Sequence, residues 1–165
     1  MSYPEPRYHD YTGEVSATYR AADHAPEVVY PNGNTVHYLA TGEATHGLFG
    51  LYRWEFGTEV SGPDAHFHRT LTESFYVLTG TVRIYDGRRW IDTLPGDFVH
   101  VPEGGIHGFR NESGAPASML IHFSPGAPRE GYFEGLAAFA ARSGRPGPDE
   151  LAEFYRMHDN VWLKE

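Results

Sequence analysis

Four side chains in the middle of this 165-residue chain are of types and at spacings that could bind a metal ion. In residues 62–80, GPDAHFHRTLTESFYVLTG, His66 and His68 stand two apart, Glu73 follows after four residues, and Gly80 after six more. Alternate residues of a strand share one face, so both imidazoles project together, and a carboxylate one tight turn later on the neighbouring strand can face back at them. In residues 96–111, GDFVHVPEGGIHGFRN, Pro102 and two glycines make a turn that delivers His107 near the start of a new strand. Three imidazoles and one carboxylate suit a borderline divalent metal. The chain has no cysteine, which removes thiolate zinc sites, iron–sulfur clusters, disulfides and a Cys nucleophile and restricts any metal to His and carboxylate ligands.

The elements that must position these residues read as strands. From residue 36 to 124, short runs rich in Val, Ile, Thr and aromatics (TVHYLA, GLFGLYRWEF, ESFYVLTG, TVRIYDG, DFVHVP, IHGFRN, ASMLIHF) are separated by Gly, Pro and Asp, the pattern of an all-β barrel or sandwich. Asp86 and Gly87 predict a hairpin turn. Residues 1–35 are polar, tyrosine-rich and broken by proline, and predict an arm with a short strand or two. Residues 125–165 predict two short helices: one with Phe133, Leu136, Ala137 and Ala140 at helical spacing, ending at Gly144, and one opening at Pro148 with Asp149 and Glu150 in its first turn. The length fits one domain, 1–165.

The two histidine segments resemble the paired signature motifs of the cupin superfamily. The match runs position by position from His66 to Gly80 and from Gly96 to Asn111, with 15 residues between, while Val60 stands where the pattern has its first glycine. The resemblance implies a double-stranded β-helix, or jelly-roll, barrel. It also implies metal ligands His66, His68, Glu73 and His107 for one divalent transition metal: iron, manganese, nickel, cobalt or copper, with zinc as a further candidate. The tail after Pro125 also resembles the two-helix tail of small bacterial quercetin 2,3-dioxygenase-like cupins. That implies an O2-dependent dioxygenase on an aromatic, flavonol-like molecule, with Glu73 as the group that takes the substrate's hydroxyl proton. A non-redox cyclase or isomerase of aromatic polyketides, or a non-catalytic binding barrel, shares the same motif. The small cupins also imply a homodimer in which the arm adds to a neighbouring subunit.

Around this centre, Tyr52, Trp54, Phe56, Phe75 and Phe109 could line a pocket for a flat substrate, or could be core. His100 and His122 lie on strands and could support the site; Arg69 faces away from it by parity, and Asn111 and Pro102 read as turn-forming. Thirteen basic against 22 acidic residues, a formal charge of −9, argue against partners rich in phosphate, both nucleic acid and anionic membranes. The start MSYPEPRYHDYTGE has no secretory pattern and no stretch is long and apolar enough for a span, so a cytoplasmic protein is expected.

Overall fold

A computed structural model describes residues 2–163. Strands form where the β-branched and aromatic runs lie: β1 (Val28–Val29), β2 (Thr35–Ala40), β3 (Gly50–Phe56), β4 (His66–Phe67), β5 (Thr72–Thr79), β6 (Val82–Tyr85), β7 (Trp90–Thr93), β8 (Phe98–Val101), β9 (Gly108–Arg110) and β10 (Ala117–Ser124). Two helices, α1 (Arg129–Ala141) and α2 (Pro148–Met157), and a last strand, β11 (Val161–Trp162), follow. Six strands form one antiparallel sheet in the order β1-β2-β3-β10-β5-β8. Facing it are β7-β6-β9 and the pair β11-β4, tied together by bridges between Ser61 and Asn111 and between His66 and His107. The two layers make a double-stranded β-helix.

Period-two alternation decides which side chains enter the barrel. In β3, Tyr52, Trp54 and Phe56 are buried while Leu51, Arg53 and Glu55 are half-exposed, and β10 buries Ala117, Met119, Ile121 and Phe123 in the same way. Ile121 is paired with Tyr52 on one side and Phe75 on the other, so one apolar row crosses three strands. Glu73 shares the inward parity of Phe75 and is paired with Phe123, which puts a carboxylate in line with an apolar row.

Tight turns hold the layers in register. The β6–β7 hairpin turns at Asp86, whose carboxylate accepts the backbone N–H groups of Arg88 and Arg89, with Gly87 at φ +89°. At Gly62, φ +141°, a methyl group would collide with the Phe109 carbonyl oxygen, so only glycine allows the first motif to lie this close to β9. Asn111 is buried beside it. Its amide donates to the carbonyls of Gly57 (3.0 Å) and Ala115 (2.7 Å), and its Oδ1 accepts from Ser113 N and Oγ.

The tail packs differently in detail from the helical spacing expected. α1 ends at Ala141 rather than running to Gly144, and its buried stripe is Arg129, Tyr132 and Phe133. Leu136 and Ala137 are half-buried and Ala140 is exposed, because the helix docks by its N-terminal half and its C-terminal half runs off the barrel. Pro148 opens α2 as expected, and Phe154 of α2 packs on Tyr132 and Phe139. β11 then returns to the barrel, pairing Trp162 with His66. Residues 2–26 form an extended arm without strand or helix, and β1 is the short strand expected at its end. No helix among the described residues is long and apolar enough to cross a membrane.

Replacing Asn111 by Ala strands two carbonyls and a serine at a buried turn. We expect a loss of about 2–4 kcal/mol in denaturant unfolding; an unchanged midpoint would show that the Asn111 network does not hold the layers together.

Candidate metal centre

The one-atom reach of each ligand is set by its backbone. His66 lies on β4, bridged to His107 by reciprocal backbone hydrogen bonds of 2.9 Å, so their side chains start side by side. His68 follows where β4 ends, and Glu73 faces it from β5. One donor atom of each of the four residues lies within 4.8 Å of the others, and all four side chains are buried.

Each imidazole is oriented by its far nitrogen. His66 Nδ1 is 2.8 Å from the Asp64 carbonyl, His68 Nδ1 2.7 Å from that of Asp159, and His107 Nδ1 2.9 Å from that of Gly105. A carbonyl only accepts, so each Nδ1 must carry a proton, and in a neutral ring that leaves the Nε2 lone pair free. Yet Nε2 of His68 and of His107 lie 3.0 and 2.8 Å from one atom, Glu73 Oε2. Two lone pairs against an anionic oxygen repel unless a cation, either a proton or a metal ion, lies between them. The donor set therefore fits a divalent metal, with three neutral imidazoles and one carboxylate already oriented by their outer contacts.

The electrostatics point the same way. Burial alone would push the Glu73 carboxyl up, but hydrogen bonds from His107 and His68 outweigh it and hold the group well below the usual carboxylate range. Burial opposes a charge on His107, and the Glu73 carboxylate overcomes this and raises its pKa. His66, buried and next to His107, is pushed down to about 3 and stays neutral. The contact between Glu73 and His107 thus favours the charged form of both partners.

The cluster forms the floor of a cavity of about 380 Å³, reached by His66 and Glu73 and walled by Trp54, Phe109, Phe123 and Phe133. Of the five aromatics expected at a pocket, Trp54 and Phe109 line it. Tyr52, Phe56 and Phe75 do not: all three point inward, but at levels filled by packing. Tyr52 is closed over by Phe123 and Phe133 and donates to Glu130 (2.5 Å); Phe56 lies behind Trp54 and Phe109, and Phe75 lies between His107 and Phe109. His100 is on the outer face, 2.9 Å from Ser74 Oγ, and His122 stacks on Phe49, so neither touches a ligand. Arg69 is exposed, as parity required.

Sequence reasoning missed the wall contributed by the tail, namely Arg129, Tyr132 and Phe133 of α1 with Asn160 and Trp162 at β11. The spacing of Arg129, Tyr132, Phe133 and Leu136 at i, i+3, i+4 and i+7 was a usable signal for the α1 face. Asn160 and Trp162 had none, since a two-residue strand has no periodicity to read.

Comparison with known proteins matches residues 52–123 to the cupin domain family. Quercetin 2,3-dioxygenase of Bacillus subtilis (strain 168) is 40% identical over 84 residues, 46% of this chain and 25% of the relative, so the chain spans about a quarter of that relative's length. Among solved structures, a predicted oxalate decarboxylase from Thermotoga maritima superposes with a TM-score of 0.59 at 19% identity over 66% of this chain and 99% of that one. KdgF from Halomonas sp. gives 0.56 at 18% over 66% and 94%, and the polyketide cyclase RemF from Streptomyces resistomycificus gives 0.54 at 23% over 66% and 80%. At these identities the structural likeness is one of fold. The segment that matches the cupin domain family, residues 52–123, holds all four donors on the inner face of a jelly-roll barrel.

Proposed function

We propose that this chain is a metal-dependent oxidoreductase, a dioxygenase that uses O2 on a small hydroxylated aromatic molecule. The observation that carries this reading is a buried three-His, one-Glu donor set opening onto an apolar, aromatic-walled cavity. The partial likeness to a quercetin 2,3-dioxygenase supports it. A divalent iron, manganese, nickel, cobalt or copper ion held by His66, His68, Glu73 and His107 would supply the coordination position that O2 chemistry needs, while the electrons that reduce O2 come from the substrate that is oxidised.

The residues of the chain do the rest. Trp54, Phe109 and Phe123 offer flat apolar surface against which an aromatic ring can lie while water is excluded. Glu73 reaches the cavity floor, where its carboxylate can take the proton of a substrate hydroxyl; a bound cation would acidify that hydroxyl. The Nδ1 hydrogen bonds of His68 and His107 to the Asp159 and Gly105 carbonyls keep both rings aimed at the same carboxylate.

Oxygen uptake with a flavonol or a catechol, in protein loaded separately with each of the five metals, tests the reading. Uptake matched to substrate loss is expected with at least one metal. Substrate loss without uptake would reassign the site to non-redox isomerisation or cyclisation, and binding without loss to a non-catalytic receptor. Glu73→Gln that retains metal should lower kcat by about 10²–10⁴, and full activity in it would remove the base role.

The same cluster ties stability to pH in the metal-free protein. His66 stays neutral in the fold down to about 3, whereas the unfolded chain protonates it near its ordinary value, so its contribution is complete above that value and fades on acidification. Glu73, with a depressed pKa, adds a loss that sets in as pH falls through the normal carboxylate range. His107, with a raised pKa, contributes stability that is complete below its ordinary value and is lost as pH rises through the raised one. The unfolding midpoint in chelator should therefore drop by about 5–10 °C between pH 6.5 and 4 by calorimetry; a flat profile would show that His66 is not held neutral.

For the arm, the partner proposed is a second copy of the chain. Tyr3, Tyr11, Val15 and Tyr19 are fully exposed along it, apolar surface that its own barrel does not cover. Sedimentation at micromolar concentration should show a dimer that removal of residues 1–19 converts to monomer, and a full-length monomer would refute the pairing.

A further inference from the structure

The cavity above the cluster is rich in donors that lack acceptors. Arg129, the first residue of α1, is 4% exposed and lines the cavity. Its Nη1 donates to the His158 carbonyl (2.7 Å) and to Asn160 Oδ1 (3.0 Å), its Nε has no hydrogen-bond partner, and no carboxylate lies within 4.0 Å of it among the described residues. The guanidinium lies over the rings of Tyr132 and Phe123, at 4.2 and 4.9 Å from their centroids. Those faces cushion a cation but do not neutralise it. A guanidinium keeps its proton at physiological pH, so a full charge is buried without a counter-charge in contact. It also stands at the positive end of a 13-residue helix, where a cation is disfavoured.

Two more donors face the same shortage. Trp54 Nε1 and Trp162 Nε1 are buried without an acceptor, and both residues line this cavity. The other buried side-chain nitrogens in that condition, Arg53 Nε and Arg83 Nε, are 3.1 and 2.8 Å from carboxylate oxygens, so they do not lack a charge partner. Glu73, the acid of the cavity floor, is already engaged by two imidazoles.

We propose that Arg129 is the anion receptor of this cavity, and that the natural ligand is an aromatic acid whose carboxylate or equivalent oxyanion pairs with the Arg129 guanidinium while its ring lies on the aromatic wall. The ligand thus spans from the tail to the metal centre, with the anion on α1 and the rest directed at the floor. This rests on the reading above for the location of the site, and it concerns binding rather than turnover. At about 380 Å³ the cavity is at the small end of the range for ligand pockets, which fits a compact acid better than a chain polymer.

Calorimetric titration with 4-hydroxybenzoate and with its neutral counterpart 4-hydroxybenzamide tests the proposal, in metal-loaded protein and again in chelator. The acid should bind about tenfold or more tightly than the amide in both forms, the size of one charge-assisted hydrogen bond. Arg129→Met should erase that preference while leaving amide binding within about twofold, and Arg129→Lys should retain part of it. Equal binding of acid and amide by the unaltered chain would overturn the proposal, and that comparison stands even if Arg129→Met fails to fold. A preference that appears only with metal and survives in Arg129→Met would assign the anion to the metal and overturn it too. Oxygen uptake is not measured in any arm, so failure of the dioxygenase reading leaves the result intact.

Discussion

One carboxylate oxygen faces two imidazole nitrogens that cannot both be neutral donors to it, and the rest of the structure is arranged to hold that contact. Glu73 Oε2 meets Nε2 of His68 and His107, while the Nδ1 protons of both rings are committed to backbone carbonyls. The carbonyls come from separated segments: Asp64 before β4, Gly105 before β9, and Asp159 after α2. Turning any ring would break one of these short hydrogen bonds, so the lone pairs stay aimed inward. A cation between them would relieve the repulsion, and the donors that could hold a metal are oriented by the fold itself.

Asp159 shows how tightly the tail is drawn into this arrangement. It adopts a left-handed backbone conformation, φ +54°, rare for a side chain larger than glycine but tolerated by Asp. In that conformation its carbonyl orients His68 while its carboxylate accepts the N–H groups of Arg69 and Thr70 and the Thr70 hydroxyl. One residue outside the barrel thus fixes both a ligand ring and the turn between that ligand and Glu73. The C-terminal segment is part of the metal centre's support, not an appendage to it.

How much of this was legible follows from what local sequence can encode. His66, His68, Glu73 and His107 were readable because two-residue parity and a tight turn bring them together whatever lies elsewhere. The strands from Thr35 to Ser124 were readable for the same reason. Parity also put Tyr52, Phe56 and Phe75 inside, correctly, but says nothing about height along the barrel axis, and height decides whether an inward ring meets the cavity or the packed core. Arg129 was hidden by its type: a charged residue in a helix's first turn reads as surface, and only the fold reveals it as 4% exposed. Its position against the helix dipole is a local rule broken, the kind of conflict that marks functional positions.

The division between legible and hidden residues coincides with a division of labour. Every donor of the metal cluster lies within 52–123, the span that matches the cupin domain, whereas Arg129, Tyr132, Phe133, Asn160 and Trp162 lie beyond it. The donors are therefore held within the segment that matches the family, whereas the cavity wall is shared between Trp54, Phe109 and Phe123 of that segment and the residues of the tail. A barrel whose chemistry sits on paired strands can change its wall without disturbing the ligands, provided the new wall still supplies a carbonyl to His68, and Asp159 supplies it here. The donors and the tail side of the wall thus rest on different segments of the chain, and a fold shared with other proteins does not fix which molecule the cavity takes.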